Sequence, residues 1–294
     1  MSEVEALDSV VWFRAGNARL ADIIHSGQIF HWFEEKPYFY GLIDGEACVL
    51  EQVGRKILVH EGRKSTVRRF LGLSDSHHVL PSSILDEDHH VRAAYQVAQG
   101  VRLMNQPRWE CLASFITSAM KQVSHIRQLS LKTRLEFGDR IDLVSDRVSE
   151  SCLYRYPTPQ QLAEAGSEAL RRLGYGWRAE TLHASAETVA KDPARLNRMA
   201  KLPTDELLVE LQKFPGVGLK VASCVALFAY DRKEIFPLDV WTKRVLKYFY
   251  FFHQMKVSER EYLQKISEDF GSHAGYVQQL FFHAARTGLL KVGD

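Results

Sequence analysis

A chain of 294 residues with 46% hydrophobic content is long enough to bury a sizeable core, as one large domain or two ordinary ones. No apolar run approaches the roughly 20 residues that span a bilayer, and the N-terminal stretch MSEVEALDSV has neither the basic nor the apolar segment of a secretory leader, so membrane and exported classes are not expected. A formal charge of +2 excludes a protein held on an anionic partner by bulk charge, and leaves only a local grip.

From Val10 to about His60 the chain alternates in short runs, VVWFRA, GQIFHWFEE, YFYGLI, ACVLEQV and KILVHE, broken by Gly16-Asn17, Gly27, Lys36-Pro37 and Asp44-Gly45. That alternation predicts an antiparallel sheet. Polar residues, paired histidines and Pro81 gather between Gly72 and Ser83, which reads as a hinge. Beyond about Leu85 the spacing turns helical, through DHHVRAAYQVAQGVRLM, RWECLASFITSAM, VSHIRQLSLKTRLEFG, TPQQLAEAGSEALRRLG and RAETLHASAETVAKD to HAGYVQQLFFHAARTGLL. The expected fold is α+β, with a small antiparallel β-rich domain over residues 1–83 and a larger all-helical domain over 84–294. Cys48, Cys111, Cys152 and Cys224 are scattered without a Cys-x-x-Cys pair, so neither a zinc site nor a disulfide framework is expected.

The most informative stretch is TDELLVELQKFPGVGLKVASCVALFAYDRKEIFPLDVWTKRV, from Thr204 to Val245. Thr204 to Lys213 has helical apolar spacing, Phe214-Pro215-Gly216-Val217-Gly218 is a tight turn, and Lys220 to Tyr230 is helical again. Gly216 and Gly218 permit a backbone that presses its amides against a phosphate at the N-terminus of the second helix. A DNA backbone is the natural partner. Lys220 follows at once, and Ile235-Phe236-Pro237-Leu238 delivers Asp239 to the start of another helix.

This segment resembles the helix-hairpin-helix DNA glycosylases and, with Cys224 one turn beyond Lys220, is most similar to the 8-oxoguanine DNA glycosylase/AP lyase branch. The likeness extends through Ser26-Gly27-Gln28-Ile29-Phe30-His31-Trp32, Gly100-Val101-Arg102-Leu103, Trp109-Glu110-Cys111-Leu112-Ala113-Ser114-Phe115-Ile116 and Gly275-Tyr276-Val277-Gln278. It implies a bifunctional enzyme of base excision repair that flips 8-oxoguanine out of double-stranded DNA, excises it through a lysine Schiff base and nicks the abasic product by β-elimination. Lys220 is then the nucleophile and Asp239 the carboxylate that stabilises positive charge on the sugar, while a bland reading of Asp239 as a helix cap is compatible with that role. An attacking amine must be unprotonated, a state favoured by apolar surroundings and a helix N-terminus.

The resemblance further implies that Cys224 and Phe282 sandwich the extruded base, that Gln278 reads its Watson–Crick edge, and that the Gly27 carbonyl reads the N7 hydrogen separating 8-oxoguanine from guanine. Trp177 and Arg178, in Gly174-Tyr175-Gly176-Trp177-Arg178-Ala179, match an aromatic wedge and an arginine that fill the gap left by the flipped base. In Phe115-Ile116-Thr117-Ser118-Ala119-Met120-Lys121-Gln122-Val123-Ser124-His125, Met120 replaces an asparagine and His125 an arginine that contact the orphaned cytosine. Lys121 and Gln122 belong to the same DNA-facing turn, and Trp241 replaces a histidine near the lesion's phosphate. These departures put strict preference for cytosine in doubt.

The iron–sulfur cluster of related branches needs closely spaced C-terminal cysteines, and none follows Cys224, so no cluster or organic cofactor is expected. A monovalent cation on carbonyls of the hairpin, at Phe214 and Val217, is compatible with the resemblance. A monomer acting in the cytoplasm beside the nucleoid, or in a eukaryotic nucleus, is the expected form. Two other readings stand beside this one: an alkylated-purine glycosylase, suggested by Met120, and a non-catalytic helix-hairpin-helix DNA-binding module, which would need neither Lys220 nor Asp239.

Overall fold

The computed structural model describes residues 10–74, 76, 78–118 and 122–292. An antiparallel sheet of five strands, in the order β1-β5-β4-β3-β2, is built from β1 (Val11–Arg14), β2 (Phe33–Glu35), β3 (Tyr38–Ile43), β4 (Glu46–Val53) and β5 (Lys56–Glu61). The Asp44-Gly45 pair turns β3 into β4 with both residues at positive φ (52° and 78°), the backbone that suits a two-residue hairpin. Helices α1 (Leu20–Ile24) and α2 (Lys64–Phe70) cover one face, where Phe13, Ile23, Trp32, Leu50, Ile57 and Phe70 form a core. Gly41 leaves room for the Trp32 indole, since a Cβ there would lie 2.7 Å from the ring.

Two features of this part differ from the sequence expectation. The run GQIFHWFEE is a strand only over Phe33–Glu35. From Gln28 to Trp32 every side chain is buried, so both sides of the segment are enclosed, and Gly27 at φ +86° takes the chain out of extended geometry. The other face of the sheet is covered by a hairpin absent from the helical expectation, β6 (Arg140–Asp142) and β7 (Cys152–Tyr154), whose Leu153 joins Val148 against Tyr40, Leu42, Ala47 and Val49.

The helices form two lobes. In the first, α5 (Arg108–Ser118), α6 (Val123–Phe137), α7 (Pro159–Arg172), α8 (Arg178–Lys191), α9 (Arg195–Met199) and α10 (Thr204–Gln212) surround α11 (Leu219–Tyr230), whose residues from Val221 to Tyr230 are all buried. Gly166, at φ 80° and ψ 162°, divides α7 into two helical pieces where the sequence reads as one. In the second lobe, α3 (Ser82–Glu87), α4 (His89–Ala98), α12 (Val240–Tyr250) and α13 (Glu259–Phe270) enclose α14 (Ala274–Arg286), buried on nearly every face. The Lys220 end of α11, the first turn of α12, the middle of α14 and the Gly27 segment supply the residues of one seam. Among the described residues no helix is long and apolar enough to cross a membrane.

Candidate active site

The hairpin positions its lysine by short-range devices. Gly216 lies at φ +73° with its missing Cβ 3.1 Å from Thr181, so a side chain there would be both strained and crowded. Gly218 differs from the sequence expectation, because its φ of −86° suits any residue and a Cβ would meet nothing within 4 Å. Its value is an uncovered N-terminus, where the first amides of α11 face outward with no side-chain cap. Lys220 sits in that first turn, half-buried, with Nζ 5.5 Å from the centroid of the Phe115 ring. Phe115 is wedged in turn against Phe228 (5.6 Å, stacked) and Phe30 (6.0 Å, edge-on).

Cys224 lies one turn on, on the same face, with 4% of its surface exposed. Burial pushes its thiol up to about 11, opposed by the charge and hydrogen bond of Lys220. The thiol is thus a neutral wall beside the amine, and Cys111 on α5 lies behind it with its own thiol raised well above normal by burial.

Asp239 is the N-cap of α12. Its Oδ1 accepts from Thr242 N at 2.8 Å, and its own amide donates to Thr242 Oγ1 at 2.9 Å. Burial raises its carboxyl above the ordinary aspartate value, while the Thr242 hydrogen bonds and the nearby Lys220 charge pull the other way. A desolvated carboxylate held in one place by its own cap interacts strongly with any cation that forms beside it. Thr242, fully buried, is the partner the sequence reading missed, although Asp-x-x-Thr carries the spacing of a capping box.

Across the seam, Gln278 and Phe282 are one turn apart on α14. Gln278 is 3% exposed and among the described residues its Oε1 has no hydrogen-bond partner. A buried amide oxygen left unmet is a group waiting for a donor. The Gly27 backbone passes against the Phe282 ring so closely that a Cβ would stand 3.0 Å from Cε1, and 3.7 Å from Val123 at the start of α6. Glycine at this point is therefore a requirement of close approach as well as of positive φ. Behind the loop, Glu110 bonds both His31 Nδ1 (2.9 Å) and Arg134. Burial alone would raise the Glu110 carboxyl, but Arg134 and then His31 hold it down at about 2.

The remaining sequence candidates lie farther out. Trp177 is 58% exposed at the N-terminus of α8, with the Arg178 guanidinium over its ring at 4.5 Å. Arg178 is itself buried, which anchors the projecting indole. Gln122 and His125 are exposed at the start of α6, and Trp241 is half-buried in the first turn of α12 with Arg244 over it at 5.5 Å. Met120 and Lys121 lie outside the described residues. The cysteines are unpaired, and among the described residues no group of His, Cys, Asp and Glu could hold a metal ion. A groove of about 670 Å³ between α9 and α10 and a cavity of about 390 Å³ between the sheet and α6 contain none of Lys220, Cys224, Gln278 or Phe282.

Comparison with known proteins matches the chain in two parts. Residues 10–112 match the family described as 8-oxoguanine DNA glycosylase, N-terminal domain, and residues 125–269 match the HhH-GPD superfamily of base excision DNA repair proteins. A Saccharomyces cerevisiae N-glycosylase/DNA lyase is 31% identical over 160 residues, a match that covers 51% of this chain and 42% of that relative, so under half of the yeast protein's length is spanned. A probable N-glycosylase/DNA lyase of Methanothermobacter thermautotrophicus is 28% identical over 227 residues, 69% of this chain and 70% of the relative. The solved structure of the Clostridium acetobutylicum 8-oxoguanine glycosylase/lyase with double-stranded DNA superposes with a TM-score of 0.84 at 23% identity, covering 96% of this chain and 99% of that one, a likeness of fold. With a matching N-terminal unit joined to a matching helix-hairpin-helix unit, the chain belongs to the HhH-GPD superfamily of base excision DNA repair proteins, in its 8-oxoguanine DNA glycosylase branch.

Proposed function

We propose that this chain is a bifunctional DNA glycosylase/AP lyase that removes 8-oxoguanine from double-stranded DNA. The observation that carries the reading is the juxtaposition of Lys220, in the open first turn of α11, with a buried Cys224 thiol and a cap-fixed Asp239 whose carboxyl is raised by burial. The amides of the hairpin grip a phosphate, and Trp177 fills the gap left by the extruded nucleotide. The Lys220 amine attacks C1′ of the sugar. The glycosidic electron pair leaves with the base, which takes up a proton, and Asp239 stabilises the cationic sugar as that bond breaks. Ring opening then gives an imine between Lys220 and the sugar. Loss of a C2′ proton expels the 3′ phosphate, which nicks the strand, and water releases the enzyme.

Cys224 and Phe282 flank the base in this reading, while Gln278 and the Gly27 carbonyl recognise its edges. The Gln278 Oε1, unmet among the described residues, supports that assignment as an acceptor open to a donor on the base. The enzyme works as a monomer without an organic cofactor. Borohydride reduction on an 8-oxoguanine duplex tests the proposal: a covalent enzyme–DNA adduct that depends on Lys220 is expected, and its absence with active, folded protein overturns the reading.

A further inference from the structure

Gly27 is flanked by two residues whose carbonyls are each held by a distant side chain, and preceded by a third held the same way. Arg286, at the end of α14, donates to His25 O at 2.5 Å. Gln279 of α14 donates to Ser26 O at 3.1 Å. Gln106 donates to Gln28 O at 2.9 Å. Gln28 is itself fixed at both ends of its amide, accepting from Met104 N at 2.9 Å and donating to Arg102 O at 2.8 Å. Among the described residues none donates to the Gly27 carbonyl. Ser26, Gln28 and Gln279 are at most 1% exposed, so these bonds form away from water, where a lost partner leaves a costly orphan.

We infer that Gln279 and Arg286 are positioning residues for lesion specificity: by holding the Ser26 and His25 carbonyls on α14, they aim the one unclaimed carbonyl, that of Gly27, at the N7 edge of the extruded base. This rests on the proposed role of Gly27 as base reader. Both residues stand on the same helix as Gln278 and Phe282, at one and eight positions from Gln278. The helix that stacks and edges the base therefore also sets the height and tilt of the loop facing it. Arg286 serves both partners, because its guanidinium also lies 5.6 Å from the centroid of the Phe282 ring. The N7 of 8-oxoguanine carries a hydrogen and that of guanine a lone pair, so a carbonyl oxygen attracts one and repels the other. Hydrogen bonds weaken steeply with misalignment. A loop freed from α14 would thus lose selectivity before it loses its hold on DNA.

The test uses full-length protein with Lys220→Gln to prevent turnover, carrying Gln279→Leu, Arg286→Met or Arg286→Lys. Affinity is measured for duplexes containing 8-oxoguanine, guanine, 7-deazaguanine or a tetrahydrofuran abasic analogue at one position. Expected is a fall of about tenfold in the 8-oxoguanine to guanine ratio for Gln279→Leu and Arg286→Met, the size of one modest hydrogen bond. Abasic binding stays within about twofold of the parent on the same scale, and Arg286→Lys, which keeps a donor, restores most of the ratio. Equal losses on all duplexes, or an unchanged ratio in both variants, overturn the inference. If Gln279→Leu does not fold, the half-exposed Arg286 pair decides alone. Failure of the underlying reading looks different. If Gly27 does not read N7, the parent protein itself fails to prefer 7-deazaguanine, which lacks the N7 lone pair, over guanine.

Discussion

The corner that holds Lys220 and Asp239 and the pocket that holds Gly27, Gln278 and Phe282 are built on opposite plans. The corner is contiguous: hairpin, α11 and the cap of α12 all fall between Thr204 and Thr242, and its decisive bonds span three residues, as between Asp239 and Thr242. The pocket is assembled from residues some 250 positions apart, joined by hydrogen bonds such as Gln279 to Ser26, with a sequence separation of 253. A local site can be fixed by turn and cap geometry before the domain closes, whereas a remote one exists only once the Gly27 segment has met α14. Chemistry and recognition should therefore fail separately.

The sharpest break is expected from Lys220→Gln, which should abolish both excision and borohydride trapping while leaving lesion binding close to the parent. A trapped adduct in that variant would mean that another amine attacks. Asp239→Asn comes next, with a rate loss of roughly a hundredfold to a thousandfold, typical of one removed electrostatic stabiliser. Its stability should move the other way. The Asp239 carboxyl is raised in the folded state, so the fold binds a proton more readily than the unfolded chain, and stability falls as pH rises from the unfolded value through the raised one. At pH 7 the asparagine variant, which still caps, should melt no earlier than the parent. Earlier melting with normal turnover would reduce Asp239 to a helix cap.

The remote side gives a stability effect of its own. Glu110 is held down at about 2, well below the ordinary glutamate value, so its ion network contributes about 3 kcal/mol that is complete above the unfolded value and lost as pH falls toward 2. Glu110→Gln should lower the stability at pH 7 by about that much and flatten the acid limb of the stability curve. An unchanged curve would show that the His31 and Arg134 contacts do not tie the loop and α6 to α5. Gln278→Ala and Phe282→Ala should each weaken binding to 8-oxoguanine DNA by about tenfold or more relative to an abasic duplex, which has no base to read. Equal losses would place both side chains in the core rather than the pocket.

The smallest effect concerns the opposite strand. A thioether at Met120 is a weak acceptor and His125 a poorer fork than arginine, and each good bidentate contact is worth about 1 to 3 kcal/mol of base discrimination. Single-turnover excision of 8-oxoguanine opposite C, T, G and A should accordingly vary within roughly tenfold. A rate opposite cytosine hundreds of times that opposite adenine would transfer the reading to Lys121, Gln122 or Arg178.

What the sequence discloses follows the same division. Helix, turn and helix from Thr204 to Tyr230, and the strands β3 to β5, are written in spacing and turn residues, and they lie where that spacing puts them. Gly27 to Trp32 misleads because a segment enclosed on both sides has the apolar content of a strand without its backbone. The β6–β7 hairpin is three residues a side and owes its existence to the sheet face it covers, so its local pattern is too short to read. Gln106, Gln279 and Arg286 are ordinary polar residues in sequence. Only their reach across the molecule gives them a task.

The unmet oxygen of Gln278 has a consequence for anyone who would make this protein more robust. Burying an acceptor without a donor costs about 1 to 3 kcal/mol, so an apolar residue of similar shape at this position should raise the melting temperature of the free protein. A search for heat-resistant variants that scores folding alone will favour such substitutions, and on the role proposed for Gln278 its winners will be hardy and blind to the lesion.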